Sequence, residues 1–389
     1  MNKIELCKHD VCTQCYACQT TCPKGCVTMV EAKDGFVVPE IDREKCVECG
    51  ACMKACHRLN PTFTFQKPIH TYACWTRNLS DREKSSSGGA FSVIARRIIR
   101  QDGIVFGASM CDNLQVKHIG VDREEDIARL QGSKYLQSYL GDTYKQVRNE
   151  LKTGRKVLFT GTPCQVAGLL TFLHKSYDNL YTCDVICHGV PSQKAFDAYI
   201  EKIGLKGKCS DFRFRFTKGW GFQLSRQLIS PTGRGFQSKI ISPKKTYYLR
   251  AFTKGLMFSE TCYSCVYARP ERVSDISLAD YWGLGVMKPF NHPTRKGISC
   301  LLVNNEKALA LLNECEDLEY EERPLEEAIA GNHNLSHVSD RPQGRDTYYK
   351  DSLSMPINKL SEKYGIKANI RDYFRILKQY IQEKSLTVQ

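Results

Sequence analysis

Two stretches of the chain repeat one arrangement of sulfur. Cys12, Cys15, Cys18 and Cys22 are spaced C-x2-C-x2-C-x3-C, and Cys46, Cys49, Cys52 and Cys56 repeat the pattern. Thiolates at steps of three wrap a loop round one 4Fe-4S cube, and the fourth cysteine, carried off on the next helical turn, points at the other cube. The spacing therefore assigns Cys12, Cys15, Cys18 and Cys56 to one cluster, and Cys46, Cys49, Cys52 and Cys22 to the second. Pro23 follows the first run as the pattern expects; His57 stands in the equivalent place after the second, a change that bears on the turn more than on ligation. Zinc sites usually separate two C-x2-C pairs by a longer loop. Disulfides need an oxidising compartment, and no charged-then-apolar leader precedes Cys7, so the expected place is the cytoplasm. The chemistry these residues allow is the movement of single electrons.

Further cysteines sit where strands hand over to helices. GTPCQ (161–165) follows the strand-like KVLFT, with Thr162 suited to cap a helix, Pro163 to its first position and Cys164 to its first turn, where the dipole favours a thiolate. CDVICHGVPS repeats the arrangement, placing Cys187 between a strand and a helix opened by Ser192. Successive turns of one parallel sheet open at the same carboxyl edge, where open α/β sheets bind ligands, so Cys164 and Cys187 can face one spot. Cys262 and Cys265 form a C-x2-C pair that needs two more ligands. These four residues make a candidate third 4Fe-4S site, with zinc as the rival. SSSGGAF (85–91) precedes an apolar helical stripe. Its serines and glycines suit either an anion cradle at a helix start or simple capping by Ser87. His188 is left without a role. Cys7, Cys26, Cys74, Cys111, Cys183, Cys209, Cys300 and Cys315 are scattered and read as ordinary free cysteines.

The elements that must position these residues follow from size and pattern. A chain of 389 residues exceeds one compact core, so a small cluster module and a larger domain are expected. Residues 1–60 form the module, a small α+β bacterial-ferredoxin-like domain whose clusters replace most of a core. Asn60-Pro61 and Lys67-Pro68 mark a linker over 61–70. Over 71–350, strand-like YACW, IVFGA, VKHIGV, KVLFT, LYTCDVI, DISLADYW and ISCLLVN alternate with helices starting near Phe91, Asp122, Pro163, Ser192 and Asn305. That rhythm predicts an α/β domain with a mostly parallel sheet. Period-two alternation over 211–241, around Pro-Thr-Gly-Arg-Gly, predicts a β-hairpin insertion. A helical tail occupies 351–389, with a helix near Arg371–Glu383. No apolar run is long enough to cross a bilayer. The net charge of +14 attracts anions, acidic redox proteins among them, but scattered basic residues without a recognition motif argue against nucleic acid.

With these residues in hand, the chain resembles the family of coenzyme F-420 hydrogenase/dehydrogenase beta subunits. The matching stretches are SSSGGAF (85–91), GSKYLQS (132–138), GTPCQ (161–165), CHGVPS (187–192), FRFTKGW (214–220), CYSCVYA (262–268) with RVSDISLADYWG (272–283), and KGIS (296–299). The resemblance runs from about residue 70 to 350, and a two-cluster module is a frequent companion in the family. It implies an oxidoreductase that binds FAD beside a 4Fe-4S cluster and passes electrons between one-electron carriers and a two-electron acceptor such as coenzyme F-420. Carried over to this chain, it implies that Ser86, Ser87, Gly88, Gly89, Ser133, Lys134, Tyr135 and Thr162 contact FAD. Lys134 and Cys164 would take part in catalysis, Lys134 by stabilising the anionic reduced ring. It also favours iron over zinc at Cys164, Cys187, Cys262 and Cys265. Implied partners are a ferredoxin or another redox protein and a small-molecule electron acceptor, with a homo-oligomer or a place in a larger complex both open. Two alternatives accompany this reading: an electron-transfer subunit of a hydrogenase or dehydrogenase complex, and a bacterial relative acting in polysaccharide biosynthesis.

Overall fold

The computed structural model describes residues 4–215, 222–229, 236–374 and 377. Its strands are β1 (Val27–Glu31), β2 (Val37–Ile41), β3 (His70–Thr76), β4 (Ile104–Met110), β5 (Val116–Val121), β6 (Val157–Gly161) and β7 (Leu180–Val185). They continue as β8 (Cys209–Arg215), β9 (Phe222–Ile229), β10 (Phe236–Ile240), β11 (Ile276–Asp280), β12 (Ser299–Val303) and β13 (Leu318–Glu322).

The module is α+β, as expected. β1 and β2 pair antiparallel, and each cysteine run leads into one short helix, Ala17–Thr21 or Ala51–Lys54. The two loops wind alike. Gln14 and Glu48, before the second cysteine of each run, have φ of 58° and 53°. Tyr16 and Gly50, just after it, have φ of 62° and 73°. Left-handed backbone outside glycine costs on the order of 1 kcal/mol or more, so the same winding in two sequences reflects a shared demand of the loop.

An eight-stranded sheet in the order β13-β3-β12-β11-β7-β6-β4-β5 organises the large domain. The centre β11-β7-β6-β4 is parallel, while β5, β12 and β13 run opposite to β3, β4, β6, β7 and β11. The central strands are near-continuous apolar runs such as VLF and SCLLV, as burial on both faces requires. Helix Ala90–Ile99 buries Val93, Ile94, Ile98 and Ile99 in one core cluster, and helix Pro163–Leu173 buries Val166, Leu169 and Phe172 in another.

Several expectations change in detail. Asp122 does not open a full helix: a 3-10 turn, Glu124–Asp126, leads into the single turn Ile127–Leu130. The 211–241 segment is a separate three-stranded antiparallel sheet, β10-β9-β8, rather than a lone hairpin. Its Pro231–Gly235 turn and most of the Arg371–Glu383 helix lie outside the described residues. Residues 61–70 are not a free tether. Phe63 and Phe65 pack round Tyr267, and Gln66 bridges Arg272. Residue 351 falls within helix Arg345–Ser354, and helix Ile357–Lys363 follows.

Candidate cluster and cofactor sites

Spacing assigns each crossing cysteine to the other run's cluster. One cavity is lined by Cys12, Cys15, Cys18 and Cys56, the other by Cys46, Cys49, Cys52 and Cys22. Helix Ala17–Thr21 carries Cys18 on one side of the module and delivers Cys22, at its carboxyl end, to the other. Each cavity also receives a fifth thiol that the sequence left as ordinary. Cys7 Sγ lies 3.5 Å from Cys56 Sγ, and Cys26 Sγ lies 3.3 Å from Cys22 Sγ. Four sulfurs round one space fit a cube, and burial opposes an uncompensated thiolate at Cys12, Cys15 and Cys18, whereas the contact with Cys7 lowers Cys56 to about 6. Burial first, then neighbouring cysteines, pushes Cys18 up to about 12, and Cys12 rises to about 11 for the same leading reason. Thiolates crowded there become stable only when a cation takes their charge.

The Cys12 cavity abuts the large domain. A Cβ on Gly168 would stand 3.1 Å from Cys15 Sγ and 2.8 Å from the Tyr144 hydroxyl. Gly168 and Cys164 are four residues apart on one helix, hence on one face. Gln14 Nε2 donates to Ser259 Oγ at 3.0 Å, and Gln137 Nε2 donates to Thr13 O at 3.3 Å. His57, where proline was expected, is buried and hydrogen-bonded on both sides, to Thr13 Oγ1 at 2.7 Å and to the Tyr267 hydroxyl at 2.5 Å. Tyr267 is two residues beyond Cys265, so one imidazole spans from the module to the second group of cysteines.

The second group of cysteines comes from three places in the fold. β6 and β7 are parallel neighbours, with Gly161 opposite Asp184, so Cys164 and Cys187 emerge at the same edge. Thr162 and Gln165 form a capping box and Pro163 occupies the first turn, which fixes Cys164 there. Cys262 and Cys265 come from the 3-10 turn Glu260–Ser264 and the residue after it. Burial, then the charges of Cys164 and Cys265, raise the Cys187 thiol, and Cys262 rises through burial and the charges of Cys187, Cys265 and Cys164. The dipole does not win at Cys164 itself: burial pushes it up to about 12, against a hydrogen-bond contact of 3.1 Å with Thr162 Oγ1. The four cysteines are partly buried, and a cation would relieve the repulsion among their thiolates.

The residues implied for FAD gather at the same edge, mostly with protein partners. Ser133 N donates to Ser86 Oγ at 2.7 Å, and Ser87 Oγ donates to Ile298 O at 2.7 Å. Ser87 therefore does not cap helix Ala90–Ile99; Gly89, at φ 88°, does so without a side chain. Gly88 is needed for close packing, because a Cβ there would meet Cys74 O at 2.3 Å. Lys134 Nζ donates to Leu130 O and Gln131 O, both at 3.0 Å, and burial, then Arg213, lowers its pKa to about 7. Sequence reasoning missed Arg215 and Asp280, which pair at 2.7 Å. Arg215 also donates to Ser86 O at 2.9 Å and to the Tyr135 hydroxyl at 3.2 Å. Burial works against that guanidinium charge, but Tyr135 and Asp280 keep it protonated. The signal was present in FRFTKGW and ADYWG, two motifs with no other shared reason to carry opposite charges.

Comparison with known proteins covers both regions. Residues 154–328 match the family described as the C terminus of the coenzyme F-420 hydrogenase/dehydrogenase beta subunit, and residues 11–58 match a 4Fe-4S dicluster domain. The chain is similar to the F subunit of the F(420)H(2) dehydrogenase of Methanosarcina mazei, 24% identical over 170 residues. That match takes in 41% of this chain and 48% of the relative, about half its length. Among solved structures, a chain of the xenon-derivatised F-420-reducing NiFe hydrogenase complex of Methanosarcina barkeri aligns with a TM-score of 0.45 at 16% identity. The alignment covers 77% of this chain and 93% of that one. No described helix is long and apolar enough to cross a membrane.

Proposed function

From an iron–sulfur chain that joins a 4Fe-4S dicluster domain to a region matching the coenzyme F-420 hydrogenase/dehydrogenase beta subunits, we propose an oxidoreductase that moves electrons inward. They would pass from the Cys46 cluster to the Cys12 cluster and then to a third 4Fe-4S cluster on Cys164, Cys187, Cys262 and Cys265. FAD at the carboxyl edge of the sheet would receive them, with a two-electron acceptor such as coenzyme F-420 or another small molecule beyond it. Clusters and flavin together supply conversion between one-electron and two-electron transfer. The observation that carries the reading is the contact at Gly168, which sets Cys15 one helical turn from Cys164.

The chain's own residues have distinct parts. The capping box at Thr162 and Gln165 holds Cys164 at the domain boundary. Ser86 and Ser133, joined to each other and both reaching solvent, are the members of the FAD set that best fit a ligand's hydroxyl or phosphate groups. Arg215, fixed by Asp280, supplies a permanent positive charge beside Tyr135, suited to an anionic reduced ring. Lys134, lowered to about 7, is suited to giving up a proton near neutrality, a finer role than the fixed charge expected of it.

A ferredoxin or similar acidic redox protein suits the +14 surface as donor. Membership of a larger complex is the second reading, favoured by the similarity to one subunit of the dehydrogenase from Methanosarcina mazei. Anaerobic purification with iron, sulfide and flavin analysis tests the assignment: about twelve iron atoms and one FAD per chain are expected. A count near eight iron atoms with zinc present removes the third cluster. Cys164→Ser should block flavin reduction by ferredoxin while dithionite still bleaches the module's clusters; unchanged turnover would take Cys164 off the route.

A further inference from the structure

Each cluster cavity has five cysteines where a cube needs four. Cys7 and Cys26 are buried, line the Cys12 and Cys46 cavities respectively, and each stands beside that cavity's crossing ligand. The separations are 3.5 Å for Cys7 to Cys56 and 3.3 Å for Cys26 to Cys22, within reach of an S–H···S contact. Cys26 also hydrogen-bonds Cys46, which places it between two ligands of its cavity. The coincidence is independent at the two sites, because Cys7 precedes its run by five residues whereas Cys26 follows Cys22 by four.

We propose that Cys7 and Cys26 are reserve ligands, able to take the place of Cys56 and Cys22 on the cluster. This rests on the ligand assignment above. In the exchange, one iron–sulfur bond to the crossing cysteine breaks and one to the reserve cysteine forms. The proton of the incoming thiol passes to the outgoing thiolate, so no electron is gained or lost. The crossing ligand is the one that a shift between the two halves of the module would pull away, and the reserve thiol lies where it would be needed.

The test uses the full chain, purified without oxygen, with iron and acid-labile sulfide counted and EPR spectra recorded at low temperature. Wild-type protein without iron would sink the cluster assignment itself, a separate outcome. Given iron in the wild type, Cys22→Ala should keep the wild-type iron count with an altered EPR envelope, and Cys22→Ala/Cys26→Ala should lose about four iron atoms. Cys49→Ala, whose ligand is exposed, should lose iron that Cys22→Ala retains. Cys56→Ala against Cys7→Ala/Cys56→Ala repeats the experiment at the other cavity should a Cys22 variant fail to fold. Single variants that lose as much iron as the corresponding doubles would overturn the proposal.

Discussion

The loops Cys12–Cys18 and Cys46–Cys52 turn the backbone in the same sense at the same positions, yet their surroundings are opposite. In the first, Cys12, Cys15 and Cys18 are all buried, and Gln14 and Thr13 are hydrogen-bonded to the large domain. In the second, Cys49 is exposed and Val47 is 57% exposed. Sequence spacing decides the winding of a cluster loop, whereas the neighbours decide what the cluster can exchange electrons with. Under the proposed function the outer site would meet another protein and the inner one would relay, a directional pair from two copies of one motif.

The strongest way to break this comparison is to remove one ligand from each loop. Cys15→Ala should cut ferredoxin-driven reduction of the inner centres by about a hundredfold or more. Cys49→Ala should slow reduction by a protein donor while leaving small-molecule reduction of the inner cluster intact; stopped-flow bleaching with the two donors separates them. Equal losses with both donors in both variants would make the outer-and-inner distinction meaningless. Next comes the contact that sets the inner site. Gly168→Ala would gain helix propensity elsewhere, but here the new methyl meets Tyr144 Oη and Cys15 at 2.8–3.1 Å. A net destabilisation of about 1–3 kcal/mol is expected in urea unfolding, and a stabilised variant would show that the contact is loose.

The inner surroundings should also respond to pH. His118 donates from Nε2 to Thr160 O at 2.9 Å, and burial lowers its pKa to about 4. The unfolded chain takes up this proton near the ordinary histidine value while the folded chain does not. The stabilisation is therefore complete above about pH 6.5 and is lost as pH falls toward about 4, by up to ~1.4 kcal/mol per pH unit. Urea titrations of wild type and His118→Gln at pH 7 and pH 5 should differ in slope by that amount, and parallel slopes would refute it. The smallest effect belongs to the outer loop. Val47→Asp should change stability by no more than about 0.5 kcal/mol, while reduction by an acidic donor slows measurably in the same stopped-flow assay.

Legibility followed locality. The eight cysteines of the module could be sorted between cavities from spacing alone, because ligand geometry is set within a few residues. Cys164 and Cys187 were readable as neighbours because parallel strands bring their carboxyl ends together, and β6 and β7 do so. Cys7 and Cys26 were not, since nothing local distinguishes a fifth thiol from a buried bystander. Gly88 and Gly89 illustrate the converse. Their place in a glycine-rich turn suggested a cradle, yet a carbonyl of β3 and a left-handed cap account for both. Arg215 and Asp280 are 65 residues apart on different sheets, and only the fold shows that they are one ion pair.

The proposed crossed ligation would have a consequence for how the molecule is made. Cys22 closes the cavity of the later run and Cys56 that of the earlier one. Neither centre would have its crossing ligand on a ribosome that has released only the first half of the module. With that ligation the Cys46 centre would have its four ligands only once Cys52 is made and the Cys12 centre only once Cys56 is, and until then the Cys12 site would depend on Cys7 for a fourth sulfur. Maturation with crossed ligands would thus follow chain length, and filling both centres would mark a module whose halves have already met.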